Sequence, residues 1–248
     1  MKDDSISRLR YYNDQGRQHL NRVRLSHRLA LDTVQHAPLL WEGKYAELIR
    51  GSFPNVRREE YILKVSNGLH EVHLVSLKSN FELFLNRILS TVWQFHFVEL
   101  IGSISESAMR KITRNIKNNG ESEHDVQNII DEVVPQHGLK RFDEELNNAT
   151  RVLSPHGLDM KGIPYWPQIF IAFEVRHLVE HRDGKVDHKF RRKVDPFWPQ
   201  SSWGKRLRID RLRKVDVQEE DVVETCSAMC EASNLITAEL VRWSSERT

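Results

Sequence analysis

Between Glu174 and Phe190 the chain reads Glu-Val-Arg-His-Leu-Val-Glu-His-Arg-Asp-Gly-Lys-Val-Asp-His-Lys-Phe, which gathers residue types suited to acid–base work on a phosphate. Histidine titrates near neutral pH and can give or take a proton. Arginine stays charged and presents a planar fork that fits phosphate oxygens. Arg176 is therefore a candidate phosphate clamp and His181 a candidate acid/base. His177 is a candidate second imidazole, and Glu174 a group that orients a histidine or pairs with Arg176. An Arg five residues before a His means little alone, since the chain holds three such pairs: Arg22/His27, Arg151/His156 and Arg176/His181. The first lies in an open amphipathic pattern with no acidic partner nearby, and the second spans Pro155. Only the third follows an apolar helical pattern and precedes a glycine turn.

The helix that must position these groups is bounded by local signals. Trp166 precedes proline and is biased out of the helical region, so Pro167 suits the first helical position. Gly184 can take the left-handed conformation that closes a helix C-terminus. His181 and Arg182 then fall in the last turn, where the helix dipole favours positive charge. On an ideal helix, residues five apart differ by about 140° in angle and about 7.5 Å in height. Arg176 and His181 thus do not share a face, whereas Glu174, His177 and His181 form one stripe. Either the last turn unwinds, or a second copy of the helix completes the site across a two-fold axis.

The following stretch interleaves basic and aromatic residues: Arg182, Lys185, Lys189, Arg191, Arg192 and Lys193, then Trp198 and Trp203, with further cations from Lys205 to Lys214. That pattern suits an RNA path, with phosphates on cations and bases stacked on rings. The plainer alternative is a salt-bridged surface anchored by tryptophans. Pro196, Pro199 and Gly204 make this stretch irregular.

Elsewhere the pattern is helical. Residues 6 to about 36 place Leu20, Val23, Ala30, Leu31 and Val34 on one face, with Arg and His residues opposite. Short helices are expected over 42–49 and 55–65, with a break at Asn67-Gly68. From Leu69 to Ile101, the residues Leu77, Phe81, Phe84, Ile88, Val92 and Phe95 recur every three or four positions, predicting a long core helix. Polar helices are expected to follow Ser103 or Ser105, then Ser122, then over 139–152. Asp216 and Glu219 predict a capping box for a last helix whose stripe is Val222, Cys226, Met229, Ser233, Ile236 and Leu240. No convincing strand pattern is present, which makes the fold class all-α. The division expected is an N-terminal helical extension or lobe over 1–68 and a helical domain over 69–248.

Composition limits the function classes. The 248 residues carry a net charge of only +2 although 29% are charged, so bulk charge does not indicate nucleic acid and only local clusters do. No apolar run approaches the roughly 20 residues of a membrane span, and the first residues lack a signal-peptide core. Cys226 and Cys230, the two cysteines, sit on the apolar stripe of the last helix as core thiols, which fits a reducing, cytoplasmic setting.

The chain resembles the HEPN superfamily on Arg176, His177, His181, Gly184, Asp187 and Lys189-Phe190. The helix with Ser79-Asn80-Phe81-Glu82-Leu83-Phe84-Leu85 resembles the first core helix of such domains, and 216–243 the last. His177 departs from the Asn most common at that position. The resemblance covers about 69–243 and implies a bundle of long antiparallel helices that pairs as a homodimer with two motifs facing one cleft. It further implies a metal-independent endoribonuclease that cleaves through the RNA 2′-hydroxyl without a cofactor. The setting implied is a toxin or antiviral defence system, in which an antitoxin or regulatory protein is a further partner. Two other readings stay open: a non-catalytic HEPN-like module that binds RNA or protein, and a metal-dependent phosphohydrolase using the stripe of Glu174, His177 and His181.

Overall fold

The structure, a computed structural model, describes residues 2–36, 47, 57–95, 162–182, 184–197, 199, 201, 203, 208–209 and 214–246. Five helices hold most of these residues: α1 (Lys2–Gln35), α2 (Arg58–Phe95), α3 (Trp166–Arg182), α4 (His188–Val194) and α5 (Glu219–Glu246). The described residues are mostly helical, as the periodicity predicts. One small departure is an antiparallel ladder of β1 (Arg208–Ile209) with β2 (Val215–Asp216), pairing Arg208 with Asp216 and Ile209 with Val215. The helices expected over 103–119, 122–134 and 139–152 lie outside the described residues. So do most of 42–49 and the cations Lys205, Arg206, Arg211 and Arg213.

Three helices differ from the sequence pattern in an instructive way. The break expected at Asn67-Gly68 is absent, and α2 runs unbroken through it for 38 residues. A glycine costs about 1 kcal/mol inside a helix, and the buried stripe of α2 outweighs so small a penalty. In α1 the buried face carries Leu9, Leu20, His27 and Leu31. His27 therefore belongs to the packed face and not to the polar one. At the start of α5, Asp216 belongs to β2, and the Asp221 carboxylate accepts a hydrogen bond from the Gln218 backbone N–H at 2.9 Å. The returning carboxylate is the one that satisfies this helix entry, two residues later than the pattern suggests.

The chain forms two compact units, each assembled from separated stretches: Met1–Gln18, Asn80–Trp166 and Met229–Thr248 in the first, His19–Ser79 and Pro167–Ala228 in the second. In the first unit, Leu9, Phe81, Phe84, Ile88, Val92, Ile236, Leu240 and Trp243 form the core. Gly16 lets α1 approach α2 closely, because a Cβ there would stand 2.8 Å from Phe84. Asn13 donates to the Asn234 amide oxygen at 3.1 Å, and Arg87 donates to Gln15 at 3.2 Å.

In the second unit α3 is the buried element. Ile169, Ile171, Ala172, Phe173, Val175 and Leu178 are buried on most sides of it, which explains an apolar run with little polar relief until its last turns. Phe170 packs on Phe197 with ring centroids 4.6 Å apart, anchoring the turn after α4. Cys226 is buried and its thiol donates to the Leu20 carbonyl at 3.4 Å, as expected for a core thiol. No helix among the described residues is long and apolar enough to cross a membrane.

Candidate active site

The apolar body of α3 ends where the chemistry-bearing residues begin, and its C-terminus is closed by backbone geometry. Gly184 has φ +71°, and its N–H donates to the Leu178 carbonyl at 3.0 Å. Glycine occupies this left-handed position without the clash that a Cβ brings. The same turn is tied to the ladder, since Val215 N–H donates to the Gly184 carbonyl at 2.9 Å and Lys185 bridges to Lys214. α4 then starts from Asp187, whose side chain accepts from the Phe190 N–H at 2.8 Å. Asp187 also forms an ion pair with Arg182, joining the end of α3 to the start of α4.

The helix stays regular through Arg182. Unwinding of its last turn is thus not how Arg176 and His181 meet. A third side chain links them: the Glu180 carboxylate pairs with Arg176 and lies 3.8 Å from His181 Nε2. Arg176 is only 20% exposed, and its Nε is buried with no hydrogen-bond partner. His181 is 58% exposed. The His177 and His181 rings meet edge to face with centroids 4.8 Å apart, the contact expected of residues one turn apart. His177 is held below its usual pKa. Partial loss of solvation is the largest cause, His181 beside it adds to the shift, and Glu174 opposes it. His177 is therefore a neutral proton acceptor near pH 7.

Glu174 takes neither role expected of it as a bonding partner. Its carboxylate pairs with Lys193 at 2.8 Å, which draws α4 onto α3 and commits Lys193 to a structural contact. Arg182 is likewise engaged by Asp187. The remaining cations of the expected RNA path, Lys185, Lys189, Arg191 and Arg192, are exposed. Of these, Arg191 lines a groove together with Val186, Asp187 and His188. Trp203 is 0% exposed, so its ring belongs to the core and offers bases no stacking surface. Trp198 lies outside the described residues.

Comparison of the chain with known protein families, with curated proteins and with solved structures returned no match.

Glu180 is the residue that the sequence left without a role. Its signal was available: Arg176 and Glu180 stand at i and i+4, the spacing that brings opposite charges together on a helix. Together the α3 terminus offers one neutral imidazole, one solvent-facing imidazole, a guanidinium and a carboxylate within two turns. Among the described residues no group of three His, Cys, Asp or Glu side chains is placed to hold a metal ion.

Proposed function

We propose that the chain is a HEPN-like endoribonuclease that cleaves RNA through its own 2′-hydroxyl without a metal ion. The observation that carries this reading is the exposed His177–His181 pair, joined through Glu180 to Arg176 at the closed end of α3. In the reaction His177 accepts the 2′-hydroxyl proton while O2′ attacks phosphorus. His181 gives a proton to the departing O5′ as the P–O5′ bond breaks. Arg176 neutralises charge on the phosphorane, the type of term that dominates many such reactions. The products are a 2′,3′-cyclic phosphate and a 5′-hydroxyl. Lys185, Lys189, Arg191 and Arg192 hold flanking phosphates.

Arg176 and His181 project to different sides of a regular helix, which favours a homodimer in which two α3 termini face one phosphate. Such a pair presents two guanidiniums and four imidazoles around the scissile group. The resemblance to HEPN proteins suggests toxin or defence systems of the cytoplasm as the setting, with a neutralising protein as a further partner.

A second reading has its own support. The guanidinium of Arg176 is already paired with Glu180, which favours a HEPN-like module that binds RNA without cutting it. Incubation of the purified protein with single-stranded RNA in excess EDTA separates the two. Cleavage with cyclic-phosphate ends supports the nuclease. Binding without cleavage from pH 6 to 9 supports the module and refutes the nuclease.

A further inference from the structure

A second group of histidines lies far from the α3 terminus in sequence, on α1 and α2 of the second unit. His27 is 1% exposed, His70 6% and His73 8%. His27 Nε2 and His70 Nδ1 are 2.8 Å apart, a hydrogen bond between two ring nitrogens. The His27 ring also meets His73 with centroids 4.9 Å apart. His73 Nδ1 is turned away from the pair, bonded to the Leu69 carbonyl at 2.7 Å as its N–H donor.

A nitrogen–nitrogen hydrogen bond needs one ring to donate and the other to accept. If both rings carry two protons, two N–H groups oppose each other at that distance and the bond becomes a repulsion. The surroundings bear on each ring differently. Arg28 on α1 adds a positive charge near His27, and His70 and His73 on α2 disfavour a second charge beside it. Glu219 and Glu220 on α5 and Asp216 on β2 favour a charged His70, while burial opposes it.

We propose that His27 and His70, with His73 packed on His27, form an acid-operated latch that holds the second half of α1 on α2 and releases it when His27 and His70 take up protons. The latch gives the N-terminal stretch a role independent of the α3 site. Burial, followed by the two neighbouring rings, pushes His27 down to about 4, and burial is the largest cause lowering His70. The sign follows from the unfolded chain, whose histidines take up protons at about pH 6.5. Stability from these rings is therefore complete above about pH 6.5 and is lost as pH falls toward 4. For His27 alone the ratio of latched to released forms falls up to about tenfold per pH unit across that window.

The test uses the full chain and the double variant His27→Gln/His70→Asn, whose amides place polar atoms near the two bonded nitrogens but do not titrate. Amide exchange over residues 19–34, corrected for intrinsic rates, should accelerate at least tenfold relative to residues 2–18 between pH 7 and pH 5 in the wild type. The same window should produce a smaller change in the variant. Parallel acceleration in both proteins overturns the latch. Should the variant not fold, ring resonances of the wild type decide: His27 should titrate well below the usual histidine range and His70 below it. Titration of both near pH 6.5 contradicts it.

Discussion

Two histidine pairs in this protein make nearly the same contact and have opposite prospects. His27 and His70 meet with ring centroids 5.1 Å apart, and His177 and His181 at 4.8 Å. The first pair is buried and commits one nitrogen of each ring to a bond between the two. The second stands exposed to solvent at the end of α3, beside a carboxylate and a guanidinium. Ring geometry alone therefore does not distinguish a structural pair from a reactive one. Solvent access and the charges alongside do, because a proton must arrive from water or substrate and leave again.

Substitutions can break this comparison, beginning with the largest expected effect. Arg176→Ala should lower RNA cleavage at least about a hundredfold in single-turnover assays, the scale of a lost electrostatic group. Retained cleavage would remove the clamp from the account. In urea titrations His27→Ala should cost about 2–4 kcal/mol, since it opens a cavity and strands the nitrogen of His70. His181→Ala should stay within about 0.5 kcal/mol of wild type in the same experiment, as exposed positions usually do. Equal costs would erase the distinction between the pairs. Gly184→Ala should cost about 1 kcal/mol through its left-handed backbone and should also slow cleavage, because the turn fixes the end of α3. A stability loss with unchanged cleavage would separate the turn from the site. Replacing Arg191 and Arg192 together by Ala should reduce the salt dependence of RNA binding by a slope of about 1.4, or about 0.7 per phosphate contact on a single strand. An unchanged slope would place the RNA elsewhere.

The two pairs were also unequally legible in the sequence. The α3 terminus could be read because its signals are local: proline at the start, glycine at the end, and a polar cluster after an apolar run. The stripe from Leu77 through Phe81, Phe84 and Ile88 to Val92 was legible for the same reason, and all five are buried. His27 and His70 are 43 positions apart, and only the packing of α1 on α2 brings them together. His27 looked like one more polar residue of a basic helix. Gly68 looked like a terminator because its local cost is visible in sequence, whereas the tertiary burial that outweighs it is not. Trp203 followed the same logic in reverse. Its basic neighbours suggested a nucleic-acid surface, while its size and apolar ring placed it in the core.

The contrast between the pairs comes down to one side-by-side measurement: single-turnover cleavage of single-stranded RNA at pH 7.5 in EDTA by wild type, His181→Ala and His27→Gln. The account predicts cyclic-phosphate products from wild type and from His27→Gln at similar rates, and at least about a hundredfold less from His181→Ala. Wild-type rates from His181→Ala, or no cleavage by any of the three, would contradict it.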